Sequence, residues 1–301
     1  MKEGKASRTA EVAAAARVTE SMRPEGRRVC YDPYAKEFLG PMFGLLRRSP
    51  ILSRLALWCV ERVMPGLPSE AIGRTKYIDD RLRKCIDDGI EQLVILAAGY
   101  DARAHRMDEL KGKVRVFELD FPATQQAKTA KVKKIFGHLP DNVVYVPIRF
   151  GAETLDEALS QTAYDRNLKT AFIWEGVTYY LTMKAVDDTL AFVVNNSGEG
   201  SSIIFDYALK SALDGTSEVR RVNWLLKSWR LIGGRVTSEN FTFGIEEGTI
   251  GQFLSERGFS EIENIDRSYA DSEYYRGLHQ PREVFSLCGF VHATVAPRKQ
   301  T

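Results

Sequence analysis

Five short apolar runs, separated by helix-like segments, occupy the middle of this 301-residue chain. The runs span residues 92–97, 114–119, 143–146, 170–174 and 202–205, and the helix-like segments span 122–136, 155–161 and 182–195. Apolar runs of this length that alternate with helices are typical of parallel strands covered by helices on both faces. The pattern therefore predicts an α/β fold built on a mostly parallel sheet.

The segments on either side of this core predict additions to it. Helical patterning covers residues 9–20, 54–63, 69–88, 217–231 and 250–257, and two late strands are expected at 261–265 and 284–295. We expect a single domain with four parts: a helical cap (1–90), a ligand-binding core (91–206), a lid insertion (207–245) and the C-terminal part of the sheet (246–301).

The composition is that of an ordinary globular protein. Hydrophobic residues make up 44% of the chain, which provides enough apolar material for a core and excludes a long disordered protein. The 42 lysines and arginines nearly balance the 40 acidic residues, and the formal net charge is +2. This balance argues against a dedicated nucleic-acid-binding protein, which normally carries a basic excess.

The N-terminal region gives no sign of export or of membrane insertion. The first 20 residues are charged and lack the long apolar core of a secretory signal. The apolar stretch at 42–60 is interrupted by Arg47, Arg48, Pro50 and Arg54, so a membrane span is not expected. The four cysteines and four histidines are widely spaced, which predicts reduced thiols, no metal site and a cytoplasmic location.

The first candidate site is the segment LAAGYDAR at 96–103, which directly follows the first apolar run. Gly99 would let the backbone approach a ligand closely, where a side chain would collide. Ligands of open α/β sheets bind at the carboxyl ends of the strands. The segment is neither a GxGxxG turn nor a Walker loop, and the alternative remains that Gly99 serves the geometry of the turn alone.

The second candidate is Asp120, which follows the second run and lies 21 residues after Gly99. An acidic residue about 20 residues beyond such a turn commonly binds the two hydroxyls of an adenosine ribose. A carboxylate can accept both O–H hydrogen bonds. The alternative is that Asp120 caps the helix that begins at Pro122, and the two roles can coexist.

Two further segments contain candidate site residues. Glu175 follows the fourth run, and Tyr179 and Tyr180 would begin the wall of a substrate pocket. Alternatively, the tyrosines belong to the core and Glu175 is a solvated loop charge. Arg74, in the helix before the first run, could bind a carboxylate through two hydrogen bonds, although a lone arginine on a helix is more often a surface charge.

Taken together, these segments resemble the leucine carboxyl methyltransferase family of S-adenosylmethionine-dependent enzymes, which includes bacterial natural-product O-methyltransferases. The resemblance rests on YDPYAKEFL (31–39), Arg74, LAAGYDAR, VFELDFP (116–122) and WEGVTYYL (174–181), in this order. The later FTFG (241–244) and FLSERGF (253–259) are also similar. The resemblance implies the class I methyltransferase fold, a Rossmann-like sheet that is mostly parallel, with a late antiparallel strand.

The resemblance also implies which residues bind the cofactor, S-adenosyl-L-methionine. Arg74 would hold its methionine carboxylate, and Glu175 would face its ammonium group. Ala97 and Gly99 would lie against the methionine and the ribose, and Asp120 would bind the ribose hydroxyls.

One position departs from the family pattern. At the end of the third strand the family usually has an aspartate followed by an apolar residue, whereas this chain has Arg149 and Phe150. Phe150 could stack on the adenine. A guanidinium has no acceptor for the adenine amino hydrogens, so the resemblance does not explain how that edge of the base is bound.

The reaction implied by the resemblance is O-methylation of a small-molecule carboxylate or hydroxyl. A carboxylate is ionised at neutral pH and needs no general base, whereas a hydroxyl needs one, for which Tyr179, Tyr180 and His105 are the candidates. Two alternatives stay open: methylation of carbon or of a protein C-terminal carboxylate, and cofactor binding without turnover. Neither nucleic acid nor a membrane is an expected partner, and the oligomeric state is open.

Overall fold

The computed structural model describes residues 8–40, 51–52, 55, 58, 62, 66–214, 242–265, 269, 271–276 and 288–297. Within these residues, one sheet contains the strands β1 (Gln92–Leu96), β2 (Arg115–Asp120), β3 (Val143–Pro147), β4 (Thr170–Trp174), β5 (Ser202–Ala208), β6 (Phe259–Ile265) and β7 (Cys288–Val295). Their order across the sheet is β3-β2-β1-β4-β5-β7-β6. Strands β1 to β5 pair in parallel, and β7 runs antiparallel to both β5 and β6.

Helices connect and cover these strands. The α-helices of the described residues are α1 (Arg8–Ser21), α2 (Ala35–Phe38), α3 (Leu67–Asp87), α4 (Arg103–Arg106), α5 (Pro122–Phe136), α6 (Leu155–Ser160), α7 (Met183–Asn195), α8 (Lys210–Asp214) and α9 (Ile250–Ser255). Short 3-10 turns cover Glu25–Arg27, Asp108–Leu110 and Thr178–Tyr180, and a π-helical turn covers Asp271–Tyr275. None of the helices so described is long and apolar enough to cross a membrane.

Burial on both faces explains why the central strands are continuous apolar runs. Every residue of β1, β4 and β5 is buried. In β1, Val94 and Leu96 belong to the apolar cluster on one face, whereas Leu93 and Ile95 belong to the cluster on the other. Helix α7 packs on the first face and α3 on the second. Neither face is open to solvent, so apolar and polar residues do not alternate along these strands.

The N-terminal helix α1 is fastened to the turn after β1 by one buried arginine. Arg17 donates from Nε to Asp32 Oδ2 at 2.9 Å and from Nη2 to the carbonyl oxygen of Tyr100 at 2.6 Å. The other oxygen of Asp32 accepts the backbone N–H groups of Tyr34 and Ala35, which begin α2. These contacts place α1 over the carboxyl ends of the parallel strands.

The fold class predicted from the sequence is confirmed, with small shifts of the element ends. Strand β5 continues two residues beyond Asp206, and β6 begins at Phe259, before the expected 261. Strand β7 is described from Cys288, within the expected range 284–295. The helix expected at 217–231 lies outside the described residues, and so do most residues of the one expected at 54–63 and of the proposed lid insertion.

Candidate functional site

A cavity of about 1050 Å³ opens where the carboxyl ends of β1, β2 and β4 meet α1. This edge of an open α/β sheet, where the strand order reverses between β1 and β4, is the usual place for a ligand. The residues singled out in the sequence that line the cavity are Arg74, Ala97, Gly99, Asp120, Phe150, Glu175, Tyr179 and Tyr180. His105 is not among the lining residues.

The turn after β1 brings bare backbone to the cavity. Ala97 and Gly99 both have left-handed backbone, with φ of 52° and 47°. This conformation is uncommon for alanine, and residues held in it cluster at ligand sites. A Cβ atom added to Gly99 would lie 3.0 Å from the Cβ of Ala10 in α1. Glycine at position 99 therefore avoids the cost of a positive φ and allows the close approach of the N-terminal helix.

We expect Gly99→Ala to destabilise the protein more than the matched control Gly112→Ala. Both positions have positive φ, 47° and 69°, where a Cβ costs about 1–2 kcal/mol. At Gly112 the added Cβ would meet nothing within 4 Å, whereas at Gly99 it would press against Ala10. Denaturant titration of both variants measures the difference in the free energy of unfolding. Equal losses would contradict the proposed tight packing of α1 on the turn.

Asp120, at the end of β2, lines the cavity beside this turn. Its Oδ2 accepts the N–H of Gly99 at 2.5 Å and its Oδ1 accepts the N–H of Phe121 at 2.6 Å. The side chain makes no capping hydrogen bond to α5, whose N-cap is Phe121, so the capping alternative is wrong. Burial raises the pKa of Asp120, and the two backbone N–H groups oppose that rise. Each carboxylate oxygen keeps acceptor capacity for a ligand hydroxyl.

Glu175 stands between two guanidinium groups at the end of β4. Its Oε1 accepts Arg74 Nε at 3.0 Å and its Oε2 accepts Arg103 Nη1 at 2.7 Å. Burial acts to raise the pKa of Glu175, but Arg103 and Arg74 outweigh it and lower the pKa to about 2. The side chain is 14% exposed, so Glu175 is not a solvated loop charge. Its low pKa means that it is ionised at physiological pH.

Arg74 is held in the cavity wall by a carboxylate for which the sequence suggested no role. Its Nη1 donates to Asp206 Oδ2 at 2.9 Å, and the other oxygen of Asp206 accepts the N–H of Gly176 at 2.6 Å. Asp206 is fully buried in β5. The alternative of a surface charge for Arg74 is therefore wrong. Its Nη2 has no hydrogen-bond partner among the described residues, which leaves donors for a ligand.

The segment after β3 forms the opposite end of the cavity. Phe150 lines the cavity, and its ring lies edge-on to Phe121 with 5.5 Å between the ring centroids. Arg149 is exposed and does not line the cavity, and its backbone N–H donates to Glu153 Oε2 at 2.8 Å. This end therefore offers a flat apolar surface, and the Arg149 side chain takes no part in it.

The three candidates for a general base differ in position. Tyr179 and Tyr180 line the cavity with their rings in edge contact, 4.6 Å between centroids. Burial raises the pKa of Tyr179 well above its ordinary value. His105 is buried against Phe136, and burial lowers its pKa to about 3. An imidazole that lies outside the cavity and resists protonation is poorly placed to take a proton from a bound acceptor.

Comparisons with known proteins agree with this geometry. The sequence profile described as leucine carboxyl methyltransferase matches residues 10–194, more than half of the chain. A Mycolicibacterium vanbaalenii protein, provisionally named an S-adenosyl-L-methionine-dependent methyltransferase, is 30% identical over 275 residues, which cover 90% of this chain and 87% of the relative. YktD of Bacillus subtilis carries the same provisional name and is 28% identical over 222 residues, 74% of this chain and 71% of YktD.

Solved structures match the same architecture. A provisionally named methyltransferase from Thermobifida fusca superposes with a TM-score of 0.54 at 13% identity, over 98% of this chain and 97% of that one. A DUF574 family protein from Streptomyces avermitilis also gives 0.54, at 10% identity, over 94% and 97%. These identities support the fold alone. The profile and the 30% identical relative go further: the chain belongs to the leucine carboxyl methyltransferase family and is an S-adenosylmethionine-dependent methyltransferase.

Proposed function

We propose that this enzyme transfers a methyl group to an oxygen atom of a small molecule, with a carboxylate as the acceptor. The observation that carries the proposal is the position and the ionisation of the three candidate bases. His105 is outside the cavity, Tyr179 has a raised pKa, and Tyr180 is its ring partner. A carboxylate acceptor needs none of them, because it is already ionised at neutral pH.

The residues around the cavity fit S-adenosylmethionine by the chemistry of their side chains. The spare N–H groups of Arg74 suit the methionine carboxylate, and the ionised Glu175 suits the ammonium. Asp120 has acceptor capacity for the ribose hydroxyls, and Phe150 offers a ring face for the adenine. Gly99 lines the cavity and has no Cβ, so its backbone is bare at the point where the ribose and methionine would pass.

The cavity is large enough for a second molecule beside the cofactor. Its volume of about 1050 Å³ lies slightly above the ~300–1,000 Å³ usual for small-molecule sites. Val177, Tyr179, Tyr180 and Leu181 supply an apolar and aromatic wall next to Glu175. We assign the acceptor to this wall, because flat apolar side chains orient a small molecule without competing for its reacting oxygen.

The work of the protein is then alignment. The bound cofactor supplies an electrophilic methyl group on a positively charged sulfur. The protein must hold the acceptor oxygen in line with that group and keep water out, and positioning of this kind can lower a barrier by ~7–11 kcal/mol. Tyr179 is buried and keeps its proton at neutral pH, so it is not the base that a hydroxyl acceptor would need.

We expect the purified protein to bind S-adenosylmethionine and S-adenosylhomocysteine and to bind no nicotinamide nucleotide. The reason is the pairing of the LAAGYDAR turn with Asp120, in place of a GxGxxG turn. Isothermal titration calorimetry measures all three affinities. Tight binding of NAD without binding of either adenosyl ligand would contradict the assignment of the site.

The acceptor atom is tested with cofactor carrying a labelled methyl group, offered with a panel of small carboxylic acids and alcohols and with the proteins of a cell extract. Carboxyl methylation gives esters, which release labelled methanol in mild base, whereas methylated hydroxyls give ethers, which do not. We expect label that is released by base. Stable label in an alcohol, or in a carbon–methyl bond, would replace the carboxylate assignment, and transfer of label only to proteins would replace the small-molecule one.

A further inference from the structure

We propose that Arg103 is a positioning residue of the methionine subsite: it holds Glu175 and Asp101 and, together with Arg74, fixes the orientation of the Glu175 carboxylate. The inference rests on the proposed function, in which Glu175 and Arg74 recognise the amino-acid end of the cofactor. Arg103 ends the LAAGYDAR segment, but the sequence indicated no role for it.

Arg103 joins three separate parts of the chain with one side chain. Its Nε donates to Asp79 Oδ1 in α3 at 2.7 Å, and its Nη2 donates to the carbonyl oxygen of Thr75 at 3.3 Å. Its Nη1 donates to Glu175 Oε2 at 2.7 Å and to Asp101 Oδ2 at 2.5 Å. The side chain is 2% exposed and is not among the described residues that line the cavity. It can therefore affect a ligand only through the carboxylates that it holds.

The contact with Arg103 decides how Glu175 can face the cavity. Each oxygen of Glu175 accepts from a different guanidinium, Arg103 on one side and Arg74 on the other. A rotation of the carboxylate breaks at least one of these contacts, so both arginines together define one orientation. Without Arg103, Glu175 keeps only its contact with Arg74, which Asp206 still holds, so the second oxygen of Glu175 no longer has a defined position for the ligand.

The planar fork of an arginine is what this place requires. One guanidinium serves Asp79, Asp101 and Glu175 at the same time, through N–H groups whose directions are rigidly related. A lysine would supply the charge from a single flexible point and could not reproduce the three directions. Charge and geometry can therefore be separated by substitution at this one position.

Arg106 provides a matched control from the same cluster. Its Nη2 donates to the same oxygen of Asp79 at 2.7 Å, and its side chain is 6% exposed. The ion pairs of Arg106 that the structure describes do not include Glu175 or Asp101. The substitution Arg106→Gln thus removes a buried guanidinium beside Asp79 and leaves the support of Glu175 in place.

The experiment compares two ligands that differ in the amino-acid end. S-adenosylhomocysteine carries the carboxylate and the ammonium, whereas 5′-methylthioadenosine lacks both. We expect Arg103→Gln to lower the affinity for S-adenosylhomocysteine roughly tenfold or more, and to leave the affinity for 5′-methylthioadenosine within about twofold. Arg106→Gln should change both affinities by the same small factor. Circular dichroism and thermal unfolding verify that each variant is folded.

The dependence of affinity on pH is a readout that a purely structural role would not change. The charged groups that act on Glu175 are Arg103, Arg74, Asp101, Arg17 and Asp206, and among the positive ones Arg103 lowers its pKa most. When Arg103 is removed, burial raises the pKa of Glu175 with less opposition. As the pH is lowered from neutral, the affinity for S-adenosylhomocysteine relative to that for 5′-methylthioadenosine should therefore begin to fall at a higher pH in Arg103→Gln than in the wild type.

A second variant keeps the proposal testable if Arg103→Gln does not fold. Arg103→Lys retains the buried positive charge and should still show the selective loss of S-adenosylhomocysteine. Three outcomes would overturn the inference and leave the proposed function intact. A folded Arg103 variant could lose affinity for both ligands equally, or Arg106→Gln could show the same selective loss. The third outcome is an Arg103→Lys variant whose affinities are unchanged. A wild-type protein that binds neither ligand would overturn both.

Discussion

Replacing Asp120 by alanine should weaken the binding of S-adenosylhomocysteine by about thirtyfold or more. In the proposed complex one carboxylate accepts both ribose hydroxyls, and its removal leaves two donors unpaired in a largely buried place, each costing ~1–3 kcal/mol. Asp120 is 5% exposed. The same substitution also removes the acceptor for the N–H groups of Gly99 and Phe121, so the variant should unfold more readily too.

Arg149→Ala is the matched control for this experiment. Arg149 follows the end of β3, as Asp120 ends β2, but its side chain is exposed and does not line the cavity. The contact between Arg149 and Glu153 uses the backbone N–H and survives the substitution. Titration of both variants with S-adenosylhomocysteine at one salt concentration measures the two effects. If Arg149→Ala is as damaging as Asp120→Ala, the placement of the adenine at this end of the cavity is wrong.

The sequence was sufficient to predict the sheet because burial leaves a direct imprint on it. Strands covered on both faces contain runs of apolar residues, and the residues that follow such runs lie at one edge of the sheet. Asp120 and Glu175 could therefore be assigned to the same cleft without knowledge of any side-chain contact. The family resemblance added their roles, because spacing alone does not distinguish a ligand-binding acid from a structural one.

The ion pairs that organise the site could not be predicted, since they join residues far apart in the chain. Arg74 in α3 meets Asp206 in β5, and Arg103 after β1 meets Glu175 after β4. No short-range pattern marks such partners. A weak signal did exist for Asp206, since it is a charged residue in an otherwise apolar run, and a carboxylate there needs a partner if it is buried.

His105 was a candidate base because of its residue type and its nearness to the turn in sequence, but its side chain does not face the cavity. It lies six residues after Gly99, in the short helix α4. That helix directs its imidazole toward Phe136 and the hydroxyl of Tyr145, which is 3.5 Å from Nε2. Closeness in sequence to a ligand-binding turn does not determine the direction of a side chain once the chain has entered a helix.

Glu175→Gln should lower the free energy of unfolding at neutral pH by about 3–5 kcal/mol, because it breaks a buried ion pair on both sides. An amide has one oxygen acceptor and no charge, so its NH2 group would face either Arg74 or Arg103, and both guanidinium groups would lose their ion pair with Glu175. Glu153→Gln is the control, since Glu153 is an exposed carboxylate at the same cavity whose described hydrogen bond is to a backbone N–H.

The difference in the free energy of unfolding between the wild type and Glu175→Gln should depend on pH. The pKa of Glu175 is about 2 in the folded protein against an ordinary 4.5, so its ionised form stabilises the fold above about pH 4.5. That contribution, about 3 kcal/mol by linkage, is lost as the pH falls toward 2, because the unfolded chain takes up the proton first. Denaturant titrations at pH 7 and at about pH 3 should therefore show the wild type losing more stability than Glu175→Gln, so that the two proteins converge in acid. A difference that is the same at both pH values would mean that Glu175 is not held as an ionised bridge, and the placement of the cofactor's ammonium group against it would have to be abandoned.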